Sequence, residues 1–71
     1  MIRFSATTEL HWHKHIGIYI AYGIRACRGR TQLFHIPDVF CRRSDADSFV
    51  CLCNREQPEF PHVQELIEDI L

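Results

Sequence analysis

Apolar residues alternate along the first forty positions and then recur at helical spacing to the end. From Ile16 to Cys27, the residues Ile16, Ile18, Ile20, Tyr22, Ile24 and Ala26 share one parity. Tyr19, Ala21, Gly23, Arg25 and Cys27 share the other. Period two with β-branched and aromatic enrichment predicts a central strand. Its even face is expected to be the core, and Arg25 marks the odd face as wetter. Ile2 to Leu10 reads as a first strand, turning within Leu10–His15.

Arg28-Gly29-Arg30-Thr31 predicts a hairpin turn, with Gly29 supplying a positive φ. The third strand follows from about Gln32 to Cys41. A three-residue loop pairs Ala26 with Phe34, Ile24 with Ile36 and Ile20 with Phe40, which sets apolar against apolar; a slip of one residue would invert the strand. Pro37 cannot donate to a ladder, so this strand lies at an edge or is bulged there.

Beyond residue 43 the period changes. Ser44 is expected to cap a helix, with Asp47 three residues on and Asp45 and Asp47 at the positive end of the helix dipole. Ala46, Phe49, Val50, Leu52 and Cys53 form its stripe, Cys51 points away, and the helix ends before Pro58. Pro61 opens a second helix, in which Val63, Leu66, Ile67, Ile70 and Leu71 follow helical spacing. The expected fold is α+β: a three-stranded antiparallel β-meander followed by two helices packed on one face. Seventy-one residues make a single domain, residues 1–71, with a modest core. The hydrophobic fraction of 46% and charged fraction of 24% place it among globular chains, not disordered ones.

Charge changes the picture more than composition does. A net charge of −1 conceals seven basic and two acidic side chains in residues 1–43, against one basic and seven acidic in residues 44–71. The C-terminal third therefore presents a negative surface suited to a larger basic protein partner. Glu56, Glu59, Glu65, Glu68 and Asp69 are its candidate contacts. Glu68 and Asp69 fall at the negative end of the second helix, where the dipole disfavours them. The arginines lack interleaved aromatics and a net positive charge, which speaks against direct nucleic-acid binding. No apolar run approaches the ~20 residues of a membrane span. The N-terminal residues lack a basic-then-apolar signal pattern, and an intracellular, cytoplasmic location is expected.

Four cysteines in a reducing compartment suggest thiols or metal ligands before disulfides. His11, His13 and His15 share parity, and the expected register sets Tyr19 opposite Cys41. Imidazole with thiolate is a zinc donor set. The predicted metal site is His11, His13, His15 and Cys41 around a structural Zn, with Cys51 able to replace one histidine. The same histidines could ligate across a homodimer. The cysteine spacings match no zinc-finger pattern. Catalysis has little support: Glu9 is the only obvious base near the histidines, and no phosphate-binding glycine loop is present.

Tyr22-Gly-Ile24, Ile36-Pro-Asp-Val-Phe40, Val50-Cys-Leu-Cys-Asn-Arg-Glu-Gln57 and Pro61-His-Val-Gln-Glu-Leu-Ile-Glu-Asp-Ile-Leu71 resemble a family of short proteins of Gram-positive bacteria and their mobile elements. The resemblance spans about residues 20–71 and is most specific in the final stretch. It implies three strands followed by two helices and brings no catalytic residues, since no biochemical role is established for the family. The His11–His15 segment departs from its pattern. Small acidic proteins of mobile elements are also similar to the anti-CRISPR proteins that bind Cas9-type nucleases, whose channels are strongly basic. That likeness implies a non-enzymatic inhibitor that blocks DNA loading in a bacterial host. The alternative is a small regulatory or metal-sensing protein.

Overall fold

A computed structural model describes residues 1–70. Three strands, β1 (Arg3–His13), β2 (Gly17–Arg28) and β3 (Thr31–Phe40), form an antiparallel sheet in the order β1-β2-β3. Two helices follow, α1 (Arg43–Glu56) and α2 (Phe60–Ile70). The α+β meander expected from the pattern is the architecture observed.

The β1–β2 ribbon is longer than the alternation suggested. Its register runs unbroken from Arg3↔Cys27 to His13↔Gly17. The turn is Lys14–Ile16, closed by a hydrogen bond from Ile16 N–H to His13 O at 3.2 Å. Gly17 follows with φ 86°, a conformation that favours glycine. Ile16 thus belongs to the turn instead of the strand, and the first strand extends past Leu10 through the histidines.

At the other end, Arg28 pairs with Thr31, so the loop has two residues with Gly29 (φ 59°) first, the place where a II′ turn needs glycine. A register shift at Leu33 restores the parity, and Ala26↔Phe34 and Ile24↔Ile36 pair as expected. The third expected pair does not form: Phe40 lies opposite Tyr22, not Ile20. Between Ile36 and Phe40, β3 carries Pro37, Asp38 and Val39 against the single Gly23 of β2. Pro37 withholds its donor, Asp38 turns to φ 55°, and the strand bulges.

Phe4, Ile24, Ala26, Val39, Phe49, Cys53, Val63 and Ile67 make the buried cluster, with Ile2, Phe34, Ile36, Phe40, Val50 and Leu66 packed around it. The α1 helix crosses the sheet obliquely. Phe49 meets Phe40 with tilted rings (centroids 5.6 Å apart), while Asn54 and Gln57 reach Phe4 of β1 and Ile2 just before it. The α2 helix sets Phe60 against Phe34 (centroids 4.5 Å apart), and its Ile70 lines a groove together with Phe40.

The helix ends depart in one respect from expectation. Ser44 does not cap α1; Arg42, extended at φ −118°, holds the N-cap position without a side-chain bond. Starting two residues earlier, the helix brings Ala46, Phe49 and Cys53 to the core, and Asp45 faces the dipole in the first turn. At its C-terminus Gln57 adopts the left-handed conformation and its N–H donates to Cys53 O at 2.8 Å, ending α1 before Pro58. Pro61 sits in the first turn of α2, where its missing donor costs nothing.

Candidate functional site

The odd face of the sheet is not covered by helices, and it is built around one carboxylate. Glu9 projects from β1 opposite Ala21, and Gly23 lies one step further along the same face of β2. These two small residues leave a trough. Glu9 lies in it and reaches β3. Its Oε1 accepts from His11 Nε2 (2.8 Å) and the Asp38 backbone N–H (3.0 Å). Its Oε2 accepts from the Thr7 hydroxyl (2.7 Å) and His35 Nε2 (3.0 Å). A carboxylate only accepts, so both imidazoles present a protonated Nε2 to it.

Burial alone would raise the Glu9 carboxyl, whose side chain is 13% exposed. The bonds from His11, Thr7, Asp38 and His35 outweigh burial and bring it down to about 2. The clasp ties β1 to β3 across β2, and the Asp38 bulge supplies one of its donors. Beside it, the Tyr19 hydroxyl donates to Asp38 Oδ2 at 3.0 Å, which holds the phenol above its usual value. With four donors on two oxygens and a value near 2, the Glu9 carboxylate is a weak base at neutral pH.

The predicted zinc ligands are dispersed around this arrangement. His11 is engaged with Glu9 and stacks on Tyr19 (5.5 Å). His13 and His15 stay together at the turn, rings 5.5 Å apart, with the His15 N–H donating to His13 Nδ1. Cys41 is an exposed thiol after β3. The pairing of Tyr19 with Cys41 that would have joined them does not exist, because the bulge shifts β3 and its ladder ends at Tyr22↔Phe40. Cys51 is exposed on α1. Among the described residues no group of three or more His, Cys, Asp or Glu is arranged to hold a metal.

The acidic residues fall where helical spacing put them. Glu56, Glu59, Glu65, Glu68 and Asp69 are all exposed. Glu56 pairs with Arg55 at 3.1 Å. The α2 helix has no acid in its first turn and no base in its last.

Two features lay outside the expected site. The first is on the even face of the ribbon, where the rungs Phe4↔Ala26, Ala6↔Ile24, Thr8↔Tyr22, Leu10↔Ile20 and Trp12↔Ile18 succeed one another. Phe4, Ile24 and Ala26 are buried under the helices. Leu10 (72%), Trp12 (71%), Ile18 (69%) and Ile20 (54%) are bare, as is Ile16 (68%) at the turn. Length explains the division: the twelve residues of β2 extend roughly 40 Å and the fourteen of α1 about 21 Å. The even parity of these residues was visible in the sequence, but their exposure was not.

The second is at the opposite end of β1. The Asn54 amide accepts from Phe4 N–H (2.8 Å) and donates to Phe4 O (3.0 Å). Gln57 does the same for Ile2 N–H (2.9 Å) and O (2.7 Å). Two side-chain amides thus occupy hydrogen-bonding positions that a neighbouring strand would fill, and they cover the first part of an open sheet edge.

No helix among the described residues is long and apolar enough to cross a membrane. Comparison of the chain with models of known protein families, with curated proteins and with solved structures finds no match.

Proposed function

We propose that the chain is a non-enzymatic binding protein that docks its acidic helical surface on a larger, basic protein partner. The observation that carries this reading is the end of α2. Glu68 and Asp69 stand exposed in its last turn, with no base there to offset them. A helix dipole makes that placement locally unfavourable. Side chains held against local preference without a compensating contact are candidates for use elsewhere. Glu65 on the same helix, with Glu56 and Glu59 before it, extends the negative surface. A partner with a basic nucleic-acid channel complements it, and the Cas9-type nucleases are the first class to test.

The test is the triple variant Glu65→Lys, Glu68→Lys, Asp69→Lys. Two of the three new lysines fall in the last turn, where a cation is favoured by about 0.3–1 kcal/mol each, so the isolated domain should be no less stable. Loading of DNA by a guide-bound Cas9-type nuclease should be blocked by the wild-type chain, less so at high salt, and not by the variant. Equal inhibition by both proteins would refute the acidic surface as the contact. No inhibition by the wild type would remove this partner class.

A further inference from the structure

We infer that the bare end of the ladder is a homodimer interface, in which two copies of the chain pack their β1–β2 ribbons face to face through Leu10, Trp12, Ile18 and Ile20, with Ile16 at the margin. Taking large apolar side chains as offering roughly 150–250 Å² each when fully exposed, the five bare residues present about 600 Å² per chain. That is at the upper end of the roughly 300–600 Å² spanned by the largest apolar patch of a typical monomer, and such patches are often functional. Two such patches bury about 1,200 Å² in all, the lower bound of specific, stable interfaces.

The chemistry of the patch favours a second copy over other occupants. It carries no charge, so an isologous contact sets apolar on apolar without like-charge repulsion. An acidic or basic partner would find nothing to pair with there. A membrane surface is a poor fit as well. Lys14 is the only lysine or arginine between Leu10 and Ile20, whereas interfacial segments use several. The reverse face of the same ribbon holds the ionised Glu9 clasp, so the hairpin cannot be immersed without burying a carboxylate.

Geometry supports the same occupant. Sheets stack about 10 Å apart, the layer that α1 and α2 occupy over the first rungs. A partner ribbon running the opposite way fills that layer over the bare rungs and points its turn toward the helix ends. There a groove of about 430 Å³, walled by Phe40, Phe49, Leu52 and a half-exposed Ile70 with Asp45 and Ser48 among them, is open to receive it.

The experiment is sedimentation equilibrium of the full chain at micromolar concentrations, beside the fluorescence of its single tryptophan, Trp12. The expected mass is that of two chains, falling to one on dilution as the emission moves to the red. Trp12→Thr with Ile18→Thr should weaken the dimer by about a thousandfold or more, because each lost contact counts twice across the two-fold axis. Leu10→Thr with Ile20→Thr keeps the reporter and should leave it red-shifted at every concentration. Far-UV circular dichroism and a cooperative melt confirm that both variants fold. A single-chain mass at the highest concentration would overturn the inference. So would a dimer that survives both double variants, or Trp12 emission that turns blue only when phosphatidylglycerol vesicles are added.

Discussion

Gly23→Ala probes the clasp without touching any of its polar groups. A Cβ built on Gly23 stands 2.6 Å from the Ile36 carbonyl oxygen and 2.8 Å from Thr7 Oγ1, and closer still to a Glu9 carboxylate oxygen. The Ile36 oxygen belongs to the backbone and moves only with the strand, so Glu9 must leave the trough. The carboxyl sits at about 2 in the fold against an ordinary 4.5. At ~1.36 kcal/mol per pH unit, its bonds stabilise the folded state by about 3 kcal/mol at neutral pH. Replacing glycine in a strand returns ~0.5–1 kcal/mol of backbone entropy, which offsets part of the loss. Strain at Ile36 adds to it, and the net destabilisation is about 2–4 kcal/mol. For a 71-residue chain at the low end of the usual ~5–15 kcal/mol, that is around half of its stability.

Urea titrations across pH provide the assay. A carboxyl whose folded value is depressed contributes fully above its unfolded value near 4.5 and loses that contribution as pH falls toward 2. The wild type should therefore lose about 3 kcal/mol from this group over that window, and Gly23→Ala should lose far less. In a Glu9→Ala background, Gly23→Ala should cost much less than it does alone, because the two share one interaction. An alanine variant with wild-type stability and an unchanged acid limb would refute the argument.

Other expectations follow from the core, the edge and the thiols. Asn54→Ala removes two bonds to the Phe4 backbone and should cost about 1–3 kcal/mol by urea denaturation, with Gln57→Ala comparable through Ile2. Ile67→Ala opens a cavity beneath α2 and should cost about 2–5 kcal/mol, read as a lowered melting temperature. Burial pushes the Cys53 thiol up to about 11, so a thiol reagent at neutral pH should modify exposed Cys41 and Cys51 quickly and reach Cys53 only on unfolding. Rapid labelling of all four in the native protein would contradict the packing.

The fold was legible wherever one apolar face had one solution. Parity located the three strands apart from the ends around the first turn, and apolar matching gave the pairs Ala26–Phe34 and Ile24–Ile36 even though the loop is two residues with a bulge after it, because a slip would have exposed the core. It failed where backbone chemistry overrode parity. Ile16 and Ile18 carry the alternation across Gly17 and hide the turn there. The bulge at Asp38 follows from Pro37, whose missing donor marks an edge or a bulge, but its size is not encoded in any pattern of side chains. The clasp needed Thr7, Glu9, His11, Gly23 and His35 to be placed on one face of three strands at once. Parity alone puts Glu9 and His11 on one face but does not show that they bond each other. The acidic surface was legible from spacing. The bare rungs were not, since coverage depends on how far two short helices reach along two longer strands.

The amide pairs of Asn54 and Gln57 bear on the speed of folding. They join residues 50 and 55 positions apart, whereas each hairpin closes through a turn of two or three residues. The chain can zip its meander locally, whereas joining α1 to β1 closes a loop of about 50 residues, an entropic cost that favours late formation of those bonds. Contacts formed after the transition state set the rate of leaving the native state and have little effect on the rate of reaching it. Asn54 and Gln57 therefore act as a latch on the unfolding rate. Their loss should steepen proteolysis and inactivation at constant refolding speed, and the first segment to peel away should be the amino-terminal end of β1.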